Sequence, residues 1–251
     1  MRAALRRYTE IVDVVIWNEA NSDTFWRPQA GAPAAYAALL ARCWDLLHAE
    51  LPSVNVLTTT AGSHDPISFV RALGDAYRAS GRPRPLFDAL GHNPYPLHPD
   101  EHPTAVHAVY VGQGDYDRLV AAVDAAFAGT PPIWYPETGF QTRPGWRRES
   151  HVGRESVART LSPEGQAVQL AAALRLAWCQ PRVEAFFNFL LVDEPRLERW
   201  QSGLLWPTWR RKPAFEAART TIDEIRRGEV DWAAAEKRAV GVVWRARAGG
   251  R

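Results

Sequence analysis

Two glutamates stand where glutamate is costly. Glu19 closes the apolar stretch of VVIWNEAN (residues 14–21), and Glu137 sits in IWYPETGF (133–140). Each comes one residue after a β-branched or aromatic run, and glutamate is rarely buried without a partner. Such a residue is either a solvated strand end or a reacting group. A pair of carboxylates has a defined chemistry open to it. In glycosidic bond cleavage, one carboxylic acid protonates the leaving oxygen while one carboxylate attacks the sugar or activates water. Polar residues gather around both positions: Asn18 precedes Glu19, and GHNPYP (91–96) supplies His92, Asn93 and Tyr95 between them.

The elements that must carry these residues alternate between two periods. EIVDVVIW (10–17) reads as a strand from its β-branched density. Residues 32–51 read as a helix, with Pro33 in the first turn and Tyr36, Leu39, Leu40, Cys43, Leu46 and Leu47 at helical spacing. A strand over 54–61 and a helix over 67–80, closed by Gly81, come next. A short third strand lies within 86–95, a helix over 116–129 and a fourth strand over 131–140. The helix over 162–180 opens with Ser-Pro-Glu, an N-cap followed by proline at the first helical position. A fifth strand (183–193), apolar on both faces, and a last helix (213–228) complete the series.

Apolar strands alternating with helices imply an α/β fold with a parallel sheet covered on both faces. Two architectures satisfy that: a closed (β/α)8 barrel and an open doubly wound sheet. The open sheet normally places a glycine-rich phosphate turn after its first strand, but here Asn-Glu-Ala-Asn occupies that turn and no GxGxxG or Walker sequence occurs. In a barrel, polar residues at the C-terminal strand ends read as active-site groups. The unusual residues collect there: Asn18 and Glu19, then Ser63, His64 and Asp65, then His92, Asn93 and Tyr95, then Glu137, then Asn188, Asp193 and Glu194. Glu19 and Glu137 are therefore expected to face one pocket.

The motifs at these ends resemble those of clan A glycoside hydrolases. IWNEAN is similar to the strand-4 Trp-Asn-Glu-Pro signature, IWYPETGF to the strand-7 nucleophile signature, and GHNPYP to the strand-6 His-x-Tyr region. SGLLWPTWRRKPAFEA (202–217) resembles the approach to the last helix. The likeness is closest to family 39 or family 5-like, cellulase-like enzymes, and covers residues 10–225. It implies a (β/α)8-type barrel that is partial, with strands 4 to 8 present, over residues 1–227. It implies that Glu19 is the acid/base and Glu137 the nucleophile of a retaining mechanism, with carboxyls about 5 Å apart. Asn18 would bond the sugar 2-hydroxyl, Tyr95 would orient Glu137, and His92 would line the same floor. Trp26 and Trp206 would be sugar platforms. Two departures stand out. Ala20 replaces the usual proline after the acid/base, and the first three strand–helix units are absent. Met1 falls in what resembles helix 3, so a fragment is expected, or else a partner chain, oligomer or preceding segment that completes the barrel.

Composition narrows the alternatives. The chain has 251 residues, 46% hydrophobic and 23% charged, with a formal net charge of +2. That supports a sizeable core and argues against nucleic-acid or membrane partners. No apolar run reaches the roughly 18 residues of a membrane helix, and MRAALRRYTE lacks the apolar core of a signal peptide; the localisation stays open. The basic residues are nearly all arginine, the only lysines being Lys212 and Lys237. Cys43 and Cys179 are expected as buried free thiols, Trp44 and Trp178 as core residues, and Asp193 and Glu194 as loop charges. Residues 228–251 are expected to be a tail. His64 with Asp65, and His98, His102 and His107, fit no standard zinc spacing, so no metal or cofactor is expected. The partner implied is a carbohydrate. The competing functions are a non-catalytic carbohydrate-binding remnant of such a barrel and a metal-dependent hydrolase using the histidines.

Overall fold

In the computed structural model, residues 2–143 and 150–230 are described. Elements run in the order α1 (Arg2–Arg7), β1 (Asp13–Val15), α2 (Ala32–Glu50), β2 (Asn55–Leu57), α3 (Pro66–Ala79), β3 (Leu90–Gly91), α4 (Tyr116–Ala126), β4 (Ile133–Thr138), α5 (Pro163–Cys179), β5 (Val183–Asn188) and α6 (Pro213–Arg227). A 3₁₀ turn over Gln113–Asp115 leads into α4. The expected alternation is present, so the chain is α/β. The expected tail lies outside the described residues from 231 onward.

The helices start where local chemistry starts them. Asp65 accepts the Ser68 N–H at 3.2 Å ahead of Pro66, and Ser162 accepts the Gly165 N–H at 3.0 Å ahead of Pro163. Gly228 closes α6 at φ 68°, a left-handed cap that a side chain would resist.

The chain folds as two compact units. The first holds the chain up to Asn93 with Ala108–Val111 and Tyr116–Pro136; the second holds Pro94–His107, Gly112–Asp115 and the described residues from Glu137 on. In the first unit the strands are parallel. Asp13 lies opposite Asn55, a parallel bridge joins Leu57 to Ala89, and Leu90 lies opposite Ile133. Val56, Leu57, Leu90 and Ile133 are fully buried, as are Leu40, Val70, Leu119 and Val123 of the helices. Gly91 makes the close strand approach possible: a Cβ there would lie 2.1 Å from the Thr58 carbonyl oxygen. The outer side of β1 is different. β1 has one strand neighbour among the described residues, and Ile11, Val12 and Val15 are exposed.

In the second unit, the Phe189 N–H, just past β5, bonds the Thr138 carbonyl at 2.8 Å. Helices α5 and α6 pack through Leu170, Ala173, Ala214 and Ala218 around Phe140. Three alanines at that contact let the helices approach closely. Trp178 departs from expectation: it lies off the Leu170–Ala173–Ala177 stripe and is 53% exposed. Phe187 is exposed too, so β5 is not buried on both faces. Both cysteines are free thiols, Cys179 buried but Cys43 only half-buried.

Candidate active site

Glu19 occupies a turn that the first unit forces into an uncommon shape. Trp17 and Glu19 have φ of 68° and 40°, the left-handed region that bulky residues avoid. Two threonine bonds hold the turn: Thr59 Oγ1 accepts the Glu19 N–H at 2.8 Å and donates to the Trp17 carbonyl at 3.1 Å. Asn21 clamps the exit of β2. Its Nδ2 donates to the Ala61 and Ser63 carbonyls at 3.1 and 2.9 Å, and its Oδ1 accepts the Ala61 N–H at 2.8 Å. The second asparagine of VVIWNEAN is thus a buried tie, while the glutamate between the two asparagines is left half-exposed.

The ends of β1, β2 and β3 together build the surroundings of Glu19. Asn93, buried beyond β3, donates its Nδ2 to Glu19 Oε1 at 2.8 Å. Burial pushes the Glu19 carboxyl above its ordinary range; the Asn93 hydrogen bond and the nearby His64 pull the other way without cancelling it. A raised carboxyl pKa is the direction a general acid needs. Asn18 is half-buried and forms no hydrogen bond among the described residues. Trp26 is half-buried too, its ring in edge contacts with Trp17 at 5.6 Å and Tyr36 at 5.8 Å.

His92 takes a different part from the one expected. It is 1% exposed, with Nδ1 at 2.9 Å from Thr60 Oγ1 and Nε2 at 3.0 Å from the Val111 carbonyl. Both ring nitrogens are engaged by the protein, so His92 ties strand ends together and has no nitrogen to offer a sugar. Its neighbour Asn93 is the residue that reaches Glu19. Sequence reasoning placed Asn93 at a strand end but gave it no role, because adjacent residues on a strand point to opposite faces and only the register decides which.

In the second unit, Glu137 sits near the end of β4, half-buried, and accepts a hydrogen bond from the Tyr95 hydroxyl at 3.2 Å. Tyr95 is held by an aromatic pair: Trp200 lies 5.1 Å away between ring centroids and Phe189 6.2 Å, with Phe189 edge-on to Trp200 at 5.5 Å. Trp206, expected as a sugar platform, is packed instead. It is 7% exposed, with the Lys212 ammonium 4.9 Å from its ring centroid and His151 against it.

Asp193 is likewise no loop charge. Its side chain is fully buried and paired with Lys212, whose Nζ lies 3.1 and 3.2 Å from the two carboxylate oxygens. Lys212 also donates to Thr142 Oγ1 at 2.9 Å and to the Gln201 carbonyl at 3.1 Å. A near-absence of lysine in an arginine-rich chain was the available signal: a compact tetrahedral donor suits a small buried nest of acceptors better than a planar guanidinium.

His107 bridges Glu101 Oε1 at 3.0 Å and Asp115 Oδ2 at 3.2 Å. His64 meets Ser63 Oγ at 2.7 Å. Among the described residues no group of three His, Cys, Asp or Glu is arranged to hold a metal ion, and no helix is long and apolar enough to cross a membrane.

No protein-family model and no curated protein matches the chain. Solved structures do. A GH39 β-xylosidase from Caulobacter crescentus is similar over 88% of this chain and 45% of its own, with a TM-score of 0.58 and 20% identity. A GH53 catalytic domain from Ignisphaera aggregans matches over 83% of this chain and 58% of its own, with a TM-score of 0.58 and 16% identity. A GH2 β-galacturonidase from Eisenbergiella tayi matches over 89% of this chain and 35% of its own, with a TM-score of 0.57 and 12% identity. This chain therefore spans less than two thirds of the length of each. The fold is one that glycoside hydrolases of several families share.

Proposed function

We propose that this chain is the acid/base- and nucleophile-bearing part of a retaining O-glycosyl hydrolase of the (β/α)8-barrel type, carrying strands 4 to 8 within residues 1–227. The observation that carries the proposal is Glu19: a carboxyl at a strand's C-terminal end, half-buried so that its pKa is raised, and oriented by the buried amide of Asn93. Glu137, oriented by the Tyr95 phenol, supplies the second carboxylate.

In the first step Glu137 attacks the anomeric carbon, the glycosidic C–O bond breaks, and the leaving oxygen takes the Glu19 proton. In the second step water attacks the anomeric carbon, Glu19 takes the water's proton, and the bond to Glu137 breaks, which regenerates both carboxyls. Asn18 is assigned to the sugar 2-hydroxyl. The similar fold of glycoside hydrolases supports the assignment. The exposed apolar flank of β1 supports a sheet that further strands complete. That same flank favours one alternative, a carbohydrate-binding barrel remnant without turnover by this chain.

Hydrolysis of aryl β-glycosides tests the proposal. Glu137→Gln is expected to abolish turnover. Glu19→Ala is expected to slow cleavage of poor leaving groups most, with partial rescue by azide. Unchanged rates in both variants refute the assignment. Sugar binding with no turnover by the unaltered chain selects the alternative.

A further inference from the structure

The Glu19 turn is held in a shape that its own residues resist. Trp17 and Glu19 lie at φ 68° and 40°, and a left-handed backbone is unfavourable for any residue with a Cβ. Such strain persists only where the surroundings impose it. Here Thr59 imposes it, buried just past the end of β2. Its hydroxyl carries one proton, which goes to the Trp17 carbonyl at 3.1 Å, while its oxygen accepts the Glu19 N–H at 2.8 Å. Thr59 therefore has no proton left for the Glu19 carboxylate and acts on it through the backbone. Its own mount is fixed as well. The Thr59 N–H donates to the Tyr36 hydroxyl at 3.3 Å, and that fully buried hydroxyl donates to the Ile16 carbonyl at 2.6 Å. On the far side of the turn, the Ser22 N–H donates to the Glu19 carbonyl at 2.8 Å. The side chain that leaves this turn meets Asn93 Nδ2 at 2.8 Å. Its charged neighbour is His64, which lies 3.7 Å from Asp23.

We propose that Thr59 is the positioning residue of the acid/base: it holds the left-handed turn from which Glu19 reaches Asn93, and proton donation to the leaving group depends on it. The proposal rests on the hydrolase reading of Glu19 and deepens it. Without the hydroxyl, the Glu19 N–H and the Trp17 carbonyl lose their partner, and the turn is free to relax toward the right-handed region. A rotation at the Glu19 Cα is magnified along the side chain, so the carboxyl leaves Asn93 and moves into water. A misplacement of about 1 Å at a reacting group is enough for a loss on the order of 100-fold. That loss falls on the step that needs the proton, because the side chain removed makes no contact with the sugar in this scheme.

The test compares Thr59→Val, Thr59→Ala and Thr59→Ser in the full chain, with thermal melts to check that each variant folds. Valine keeps the bulk of threonine without the hydroxyl. Serine and alanine both lack the methyl group and differ only in the hydroxyl, so serine controls for the cavity. For a phenyl β-glycoside, whose leaving group needs a proton, kcat/KM is expected to fall on the order of 100-fold in the valine and alanine variants, the low end of what a general acid contributes. For a dinitrophenyl β-glycoside, whose leaving group departs as a stable anion, it is expected to fall far less. Thr59→Ser is expected to stay near the parent on the phenyl substrate. A merely structural role lowers both substrates alike. A second readout needs no turnover: carbon NMR of protein labelled in its glutamate carboxyls, with the Glu19 signal assigned by Glu19→Gln. The Glu19 midpoint is expected to fall toward the ordinary glutamate value in Thr59→Val and Thr59→Ala, since burial is the larger influence on it and Asn93 and His64 oppose that influence. Equal losses on both glycosides, no loss on either, a serine variant as impaired as alanine, or an unmoved Glu19 midpoint overturns the proposal. The hydrolase reading fails separately: no turnover of any aryl glycoside by the unaltered protein refutes hydrolysis, and the Glu19 midpoint then decides the role of Thr59 alone.

Discussion

Replacing Lys212 by methionine isolates the buried charge pair of the second unit. The substitution keeps the length and apolar bulk of the side chain and removes only the ammonium. What it leaves behind is the Asp193 carboxylate, whose side chain has no solvent exposure. Of that carboxylate's contacts, the Gly203 N–H at 2.8 Å and His151 Nε2 at 3.5 Å persist. Thr142 Oγ1 also loses its donor, while the Gln201 carbonyl keeps the Thr142 N–H at 3.2 Å and the Thr142 hydroxyl at 3.1 Å. Removing one partner of a buried pair costs about 3–5 kcal/mol, because the other charge stays buried without compensation. Whole domains are stable by about 5–15 kcal/mol, so the loss takes a large share of what holds this unit together. The comparison belongs at pH 7, since burial draws the Lys212 ammonium down to about 8 against the pull of Asp193, and it is still charged at pH 7. Urea unfolding followed by tryptophan fluorescence gives the free energy. Lys212→Met combined with Asp193→Asn is expected to recover most of the loss, since the orphaned charge is then gone while the bond to Gly203 is kept. Lys212→Met within about 1 kcal/mol of the parent, or a double variant worse than the single one, refutes the pairing as the source of the stability.

Three further outcomes follow from the geometry. Asn93→Leu removes a hydrogen bond that lowers the Glu19 carboxyl and adds apolar surroundings that raise it; the alkaline limb of the pH–rate profile is therefore expected to move to higher pH, and an acid shift or none refutes Asn93 as its partner. His107 is held above its ordinary pKa of 6.5: burial opposes protonation, but hydrogen bonds and charge from Glu101 and Asp115 outweigh it. A raised histidine contributes stability that is complete below pH 6.5 and is lost as pH rises through the folded-state value; the excess of unfolding free energy at pH 6 over pH 9 is expected to shrink in His107→Gln. Gly91→Ala places a methyl 2.1 Å from the Thr58 carbonyl oxygen, a backbone atom unable to swing aside, so a loss of about 3 kcal/mol or more is expected in denaturant titration.

Helices and strands differed in how well the sequence announced them. Helix 162–180 is seen as Pro163–Cys179 and helix 213–228 as Pro213–Arg227, because serine, proline and glycine mark those ends by local backbone chemistry. Strands were overextended. The run 10–17 contributes only Asp13–Val15 to a ladder, since a strand ends where its neighbour's backbone departs, not where apolar residues stop. Ile16 stays buried beyond that point, and Trp17 turns left-handed.

The site divides along the same line. Glu19, Glu137 and Tyr95 were legible because their motifs are contiguous in the chain. Asn93 was passed over for His92, Trp206 was expected to be open but is packed, and Asp193 was expected as a loop charge but is buried. In each case the deciding fact is which of two near neighbours points inward, and in a loop no periodicity settles that. Trp200 and Trp206 sit six residues apart on one connection. What separates them is Lys212: its ammonium covers the Trp206 ring and holds the Gln201 carbonyl, fixing one tryptophan inside and its loop partner outside. The buried ion pair therefore holds the Trp206 ring inside, a placement set by tertiary contacts and not by the local motif.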